Sequence, residues 1–459
     1  LSHKAFLLIF GPNIKYPVIY TFIIKPLVRI FNRIYFQMQV SGLDRIPDNK
    51  PIIFIPNHVN GFVDPVVVGM LMKKKVRFFA RGDVFKGKIA RWFLEKMNIS
   101  PMYRMSEGYS DVKKNDVTFD ECRRLLSQKK MLLIFPEGIC IQDRRINRLK
   151  KGLARIILGV EEASSNKEDI LIIPVGLNYS NPKNFGSRLF ILFGQPIHVH
   201  DFHKMYEEDK VKAINECTRL MENKMKELIV HLDDERNDTF YEGLSEIYSR
   251  QWLQEENKDP ADQEAEYEKN KVIAALINRM DKEDPLKLEA LREMVMPYLT
   301  KVQSLGLRDH LLRKDLLAKI SLKSSLNDFL VLWFGLPVYW IGRLLNWPPY
   351  KLGGRIASRK AKFVEFHASI YSNAGMLLWI LYYVLQVGMI GLGFHNWYLI
   401  IVWVILVPAT GYFALRFHAV KKKILGRWRL LGLVKKDPQE AERLIMEREK
   451  IILLLKELL

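Results

Sequence analysis

Cysteine is scarce in this chain: Cys122, Cys140 and Cys217 are the only three in 459 residues. They show no metal-ligand spacing and no disulfide framework, which argues against a disulfide-stapled secreted scaffold and suits a reducing compartment. Acid is also short, with 51 Asp and Glu against 71 Lys and Arg, a formal net charge of +20. Such a balance fits nucleic acid or an anionic membrane surface. No zinc-finger spacing or KH-type loop is present, and the basic clusters flank long apolar stretches. The membrane is therefore favoured, anionic lipids are expected partners, and nucleic acid is not. A clear signal peptide is missing too: after Leu1-Ser2-His3-Lys4, the apolar residues 5–12 are too few to cross a bilayer.

The overall 49% hydrophobic and 27% charged residues average a charged middle with a very apolar later segment. Residues 14–36 mix Ile, Tyr, Phe and Val with Lys15, Lys25, Arg29 and Arg33, interrupted by Pro17 and Pro26. The pattern predicts an amphipathic, membrane-associated segment over 1–35. An ordinary surface helix fits the same residues. From 36 to 231, strand and helix patterns alternate. Strands are expected at 36–41, 52–55, 76–80, 131–135, 170–175 and 188–194, and helices at 65–73, 84–97, 115–128, 150–164 and 203–231. Ile52-Ile53-Phe54-Ile55 and Leu171-Ile172-Ile173 are continuous apolar runs, as in strands covered on both faces. An α/β domain with a mixed or mainly parallel sheet flanked by helices follows. Residues 232–325 are charged and helical in pattern, divided by Pro260, Pro285 and Pro297, with no chemical motif.

From 326 to 420 the pattern is that of a membrane region. Ala374–Phe394 and Asn396–Leu415 are runs of 21 and 20 residues without a formal charge, each long enough to cross about 30 Å of hydrocarbon. They predict a transmembrane hairpin at about 374–415. Arg355, Arg359, Lys360 and Lys362 precede it, and Arg416, Lys421, Lys422, Lys423, Arg427 and Arg429 follow, so both flanks belong on the cytoplasmic side. Phe329–Ile341 is shorter, contains Gly335 and Pro337, and reads as interfacial or re-entrant, with a further span as the alternative. Residues 421–459 form a basic tail with helical apolar spacing from Pro438 onward.

Chemistry concentrates in Asn57-His58-Val59-Asn60-Gly61-Phe62-Val63-Asp64-Pro65. His58 follows the strand at 52–55. Asp64 before Pro65 reads as a helix N-cap with proline at the first helical position. A strand end and a helix start joined through Gly61 let the two side chains converge. A neutral imidazole there takes a proton from a hydroxyl as it attacks a thioester carbonyl, while the carboxylate fixes the imidazole tautomer. No serine nucleophile is required. By itself, one His near one Asp fits a packed or capping pair equally well. A second apolar strand ends in Phe135-Pro136-Glu137-Gly138 and leads into Asp143-Arg144-Arg145, Arg148 and Lys150-Lys151-Gly152. Such a basic loop, opening a helix at its end, grips a phosphate monoester, or is merely a solvated basic loop.

Together these blocks resemble the glycerolipid acyltransferase family, which includes glycerol-phosphate and lysophosphatidic acid acyltransferases. Four family blocks match over roughly residues 50–180: Asn57-His58 to Asp64-Pro65; Asn98-Ile99-Ser100-Pro101-Met102-Tyr103-Arg104; Phe135 to Gly138; and Ile172-Ile173-Pro174-Val175. The resemblance implies the family's α/β fold over 36–231, catalysis by His58 and Asp64, Arg104 as a phosphate contact and Glu137 as an acceptor-binding residue. Two departures stand out. Five residues separate His58 from Asp64 where the common family spacing is four, a form similar to the glycerol-3-phosphate/dihydroxyacetone-phosphate branch. After Gly138 the usual Thr-Arg-Ser is replaced by Ile139-Cys140-Ile141, which moves the family arginine to Arg144.

The reaction so implied carries a fatty acyl group from acyl-CoA or acyl-carrier protein to glycerol 3-phosphate, forming lysophosphatidic acid for phospholipid synthesis. Arg104, Glu137, Gly138, Arg144 and Lys150 are expected around the acceptor, with Arg81 as an outer candidate. Backbone N–H groups near Gly61 or Gly138 are candidate oxyanion donors. No cofactor and no metal are expected. The active domain is expected on the cytoplasmic face, of the inner membrane in a bacterium or of the endoplasmic reticulum in a eukaryote. Lysophosphatidic acid or another lysophospholipid is the rival acceptor. A membrane lipid-binding or scaffold protein is the rival without catalysis.

Overall fold

The computed structural model describes residues 25–85, 87–96, 98–102, 115–163, 169–259, 261–314, 322–360 and 367–459. Most of the predicted N-terminal amphipathic segment, and Arg104, lie outside them. The chain forms two compact units, one comprising 1–142 and 146–229 and the other 143–145 and 230–459.

The first unit runs α1 (Lys25–Tyr35), β1 (Gln37–Ser41), β2 (Ile52–Pro56), α2 (Val63–Leu71), β3 (Val76–Arg81), α3 (Lys88–Lys96), β4 (Ile99–Met102), α4 (Asn115–Ser127), β5 (Met131–Leu133), α5 (Gly152–Ala163), β6 (Leu171–Tyr179), β7 (Arg188–Phe193), β8 (Ile197–His198), α6 (His203–Glu208) and α7 (Lys210–Lys226). The strands form one mixed sheet in the order β1-β7-β6-β2-β5-β3-β4, with β8 beside β6. Every pairing is parallel except β6 with β7 and β6 with β8. The apolar runs read from sequence occupy its centre: β2 is buried along its whole length between β5 and β6. Ile53, Ile55, Leu132 and Ile172 pack with Leu153 and Ile157 of α5 and Met221 and Met225 of α7. From the other side of β2, Phe54 meets Phe193 edge-on, ring centroids 6.0 Å apart.

The structure adds β4 and β8, which the sequence pattern did not show. β4 is short and contains Pro101, which is tolerated because, among the described residues, β4 is an edge strand paired only with β3. The helix expected over 203–231 is broken at Asp209, whose Oδ1 accepts the N–H groups of Val211 and Lys212, both at 3.0 Å, and restarts the chain as α7.

The second unit is helical: α8 (Asp238–Glu255), α9 (Gln263–Glu283), α10 (Pro285–Ser304), α11 (Leu322–Lys360), α12 (His367–Phe394), α13 (Trp397–Lys436) and α14 (Pro438–Leu458). The charged region and the C-terminal tail share one core, with Leu244, Ile247, Ile277, Val295 and Leu299 packed with Ile451 and Leu455. Within it the Arg448 guanidinium donates to Asp309 at 2.9 Å, and Tyr298 donates to the same carboxylate at 2.7 Å.

Helices α11, α12 and α13 are each long and apolar enough to cross a membrane. Asn396 caps α13, its side chain accepting the Tyr398 N–H, so α12 and α13 make the hairpin read from the sequence. The 329–341 stretch is part of a single 39-residue helix that contains Pro337, Pro348 and Pro349. Up to Asn346, α11 runs toward the closed end of the hairpin. Arg427 donates to Asp328 at 2.8 Å, Gly342 abuts Thr410, and the Asn346 amide donates to the Val407 carbonyl at 3.2 Å. Beyond the Pro348-Pro349 pair it runs away again: Tyr350 meets Tyr371 edge-on at 5.9 Å and Gly353 lies against Gly375. Adjacent prolines remove two helix N–H donors and bend the axis at that point.

Candidate active site

Three neighbouring parallel strands deliver the site. β2 lies between β5 and β6 and is parallel to both, so the segments leaving all three emerge at one edge of the sheet. His58 follows β2 directly, the Phe135–Gly138 block follows β5, and Tyr179 ends β6. Asn57 extends the β2–β6 pairing with its side chain. Its Nδ2 donates to the Leu177 carbonyl at 3.2 Å, and its Oδ1 accepts the Leu177 N–H at 2.7 Å. The residue before His58 is thereby anchored to the sheet.

Asp64 is fully buried. Its Oδ2 lies 2.9 Å from His58 Nδ1 and accepts the N–H groups of Val59 and Asn60, both at 2.7 Å. Its Oδ1 accepts the Tyr179 hydroxyl at 2.7 Å. With two backbone donors on the same oxygen, the arrangement is satisfied by an acceptor-only carboxylate and by the imidazole tautomer protonated at Nδ1. Nε2 is then the basic nitrogen, on the side of the ring away from Asp64. His58 remains 17% exposed, and its ring stacks on Phe135 with centroids 3.8 Å apart and planes 18° apart.

Asp64 does not sit at the N-cap. α2 starts at Val63, and the Val63 and Asp64 N–H groups both donate to the Asn60 carbonyl at 3.0 Å. Asp64 therefore lies inside the first turn and reaches back across the loop to the donors of Val59 and Asn60. Pro65 still falls in that turn, where its missing N–H costs nothing.

Glu137 is 4% exposed and engaged at both oxygens. Oε1 accepts the His58 N–H at 3.2 Å; Oε2 accepts the backbone and side-chain N–H groups of Asn147, both at 3.0 Å. Burial pushes its carboxyl above the ordinary value, against the pull of the Asn147 and His58 hydrogen bonds. Burial likewise raises the Tyr179 hydroxyl well above its usual range, with the Asp64 charge adding to it, so Tyr179 stays a protonated donor. Gly138 has φ +68°, a left-handed conformation in which any other residue is strained, and its N–H closes a turn onto the Phe135 carbonyl at 3.1 Å. That N–H is engaged within the turn.

Lys150 is brought to this block. Its N–H donates to the Pro136 carbonyl at 3.0 Å, and its exposed side chain passes within 3.7 Å of where a Gly138 Cβ would stand. Arg81 ends β3, two strands from β2 on the same edge. Arg144 belongs to the second unit, where its guanidinium lies 2.9 Å from Glu242 and 5.0 Å from the Tyr241 ring centre. Its charge is met there. Neither Tyr179 nor Asn147 carries a sequence signal that marks it. Tyr179 stands beyond the apolar core of its strand, after Gly176 and Asn178, so only the strand order discloses it. Asn147 lies inside the basic loop, where nothing distinguishes it from its neighbours.

Residues 37–178 match the family model described as Acyltransferase. Glycerol-3-phosphate O-acyltransferase 2 of Saccharomyces cerevisiae is 26% identical over 203 residues, 44% of this chain and 26% of the yeast protein. Glycerol-3-phosphate O-acyltransferase 1 of the same organism is 24% identical over 293 residues, 61% of this chain and 36% of that protein. The 1-acyl-sn-glycerol-3-phosphate acyltransferase of Bacillus subtilis is 23% identical over 202 residues, 42% of this chain and 91% of the bacterial protein. The chain thus spans well under half the length of either yeast relative.

Proposed function

We propose that the acyltransferase-family domain at residues 37–178 moves a fatty acyl group from an acyl thioester to a hydroxyl of glycerol 3-phosphate. The observation that carries this reading is the His58–Asp64 pair, with Nδ1 fixed by a buried carboxylate and Nε2 left as a base at the open side of the sheet edge. The acceptor hydroxyl attacks the thioester carbonyl carbon as Nε2 takes its proton. The tetrahedral intermediate collapses by breaking the C–S bond, and the imidazolium returns the proton to the leaving thiolate. Asp64 stabilises the imidazolium between these steps, and Tyr179 holds Asp64. Glu137 acts from behind, fixing the His58 backbone to the Asn147 loop.

The acceptor phosphate is assigned to Lys150 and to the N-terminus of α5, where exposed Lys151 and Gly152 open the helix. Arg104 is retained as a phosphate contact on the resemblance of its block alone. Phe62, 45% exposed, and Ile139, 38% exposed, lie on the two loops that carry the site and offer apolar surface to the acyl chain. The basic residues flanking the α12–α13 hairpin support a cytoplasmic location for the active domain.

Lysophosphatidic acid is the second reading for the acceptor, favoured by the bacterial relative, nearly all of whose length is matched. Glycerol 3-phosphate is preferred for the five residues between His58 and Asp64 and for the two yeast relatives. Purified full chain, offered both acceptors with acyl-CoA and with acyl-carrier-protein donors, decides between them. Faster acylation of glycerol 3-phosphate is expected; preference for lysophosphatidic acid reverses the assignment. Undiminished transfer by a folded His58→Ala variant rules out the mechanism.

A further inference from the structure

Where α11 and α13 cross in the second unit, several basic groups converge on one buried hydroxyl. Tyr339 is 2% exposed. Its oxygen accepts from the Arg343 guanidinium at 2.7 Å and the Lys421 ammonium at 3.3 Å, and lies 3.3 Å from His418 Nδ1. The phenol has one proton, which goes to Nδ1, and two lone pairs, which take the cations. Lys421 also stands 4.4 Å from the Tyr339 ring centre, and Arg343 is 5.7 Å from that of Trp340. Among the described residues neither Arg343 nor Lys421 forms an ion pair. The contrast lies further along the same two helices, where Arg427 of α13 is answered by Asp328 of α11.

Two like charges held on one neutral oxygen repel each other, and a shared anion removes the conflict. The depth of the cluster says which anion. From Trp397, at the closed end of the hairpin, to His418 is 21 residues of α13, about 30 Å at helical rise and about the thickness of the hydrocarbon layer. The last uncharged residue of that run is Leu415. Arg343, His418 and Lys421 therefore stand at the level of lipid phosphates, beside an interfacial tryptophan.

We propose that Tyr339, Arg343 and Lys421 form a binding site for the phosphate of an anionic phospholipid headgroup. Arg343 and Lys421 bridge the phosphate oxygens, and the Tyr339 hydroxyl sets the spacing of the two cations. The assignment rests on α12 and α13 lying in a bilayer, and is independent of the acyl-transfer reading.

The test uses the detergent-solubilised full chain and fluorescent short-chain lipids. Wild type should bind phosphatidylglycerol at least about tenfold more tightly than phosphatidylcholine. The Arg343→Gln/Lys421→Gln variant should lose about that factor for phosphatidylglycerol and none for phosphatidylcholine. A Lys422→Gln/Lys423→Gln control removes the same charge from exposed positions on the same helix and should bind as wild type does. Unchanged phosphatidylglycerol affinity in the first variant overturns the proposal, and so does an equal loss in the control. Full displacement of phosphatidylglycerol by millimolar inorganic phosphate assigns the site to free phosphate and overturns the lipid. If the double variant does not fold, Lys421→Gln alone is read by the same criterion. His58→Ala should leave this binding intact. Release of the chain from membranes by alkaline carbonate removes the depth argument and overturns the site on its own terms.

Discussion

Asp64 and Tyr179, 115 residues apart in the chain, meet at 2.7 Å through a hydroxyl that points at the one carboxylate oxygen His58 does not use. Tyr179→Phe leaves that oxygen buried and one donor short, a loss of about 1–3 kcal/mol. If the loss falls on the transition state, kcat drops about ten- to a hundredfold. Asp64→Asn removes the carboxylate itself and should cost about 10³- to 10⁴-fold. Tyr179 acts through Asp64, so the double variant should be hardly slower than Asp64→Asn alone. Initial rates of the four proteins check this, and additive losses would show that Tyr179 has a separate role.

Glu137 gives the site a pH signature. Burial raises its carboxyl above the ordinary 4.5, so the folded chain holds that proton to higher pH than the unfolded chain does. Between the two pKa values the folded state binds more protons, and this group's contribution to stability falls as pH rises through that window. Glu137→Gln abolishes the titration. The difference in Tm, wild type minus variant, should therefore shrink as pH rises above the ordinary carboxylate range. A difference that is flat or grows with pH contradicts the assignment.

Much of this site was legible because its chemistry sits at the ends of elements. A strand running into His58 and a helix starting near Pro65 are local patterns, and so is the strand ending in Phe135. The partners of those residues are not local. Tyr179 depends on β6 pairing with β2, and β6 continues through Gly176 past the strand end expected at 175. That glycine is a packing requirement: a Cβ there would stand 2.0 Å from the Leu228 carbonyl oxygen. In sequence Arg144 is one of a basic run, yet its neighbours Asp238 and Glu242 come from a helix about a hundred residues on, in the second unit. The nested course of α11 turns on two prolines whose bend no periodicity displays.

Lys150 and Arg144 separate acceptor binding from structure. Lys150 is exposed and, among the described residues, in no ion pair, so Lys150→Ala should raise KM for glycerol 3-phosphate by about ten- to a hundredfold, the worth of a charged hydrogen bond. Tm should stay near that of wild type. Arg144→Gln breaks a partly exposed pair with Glu242 and the contact with Tyr241, lowering Tm modestly and leaving KM within about twofold. A large KM effect from Arg144 and none from Lys150 would exchange their roles.

Phe62 is an apolar ring left 45% exposed between His58 and Asp64 in the chain, on a loop whose backbone donates to Asp64 at Val59 and Asn60. Exposure of a single aromatic is ordinary on a protein surface; its place on the loop that joins His58 to Asp64 is what makes a role testable. If the acyl chain lies across it, each further methylene brought out of water adds up to about 0.8 kcal/mol to transition-state binding. In wild type, kcat/KM should therefore climb steeply with acyl-CoA chain length. Phe62→Ser removes apolar surface without touching His58, so the climb should become shallower while the shortest donors react at nearly the wild-type rate. Measuring kcat/KM from short- to long-chain acyl-CoA in both proteins gives two slopes. Coincident lines place the acyl chain elsewhere, and parallel lines displaced by an equal loss at every length mean that Phe62 serves only to hold the loop.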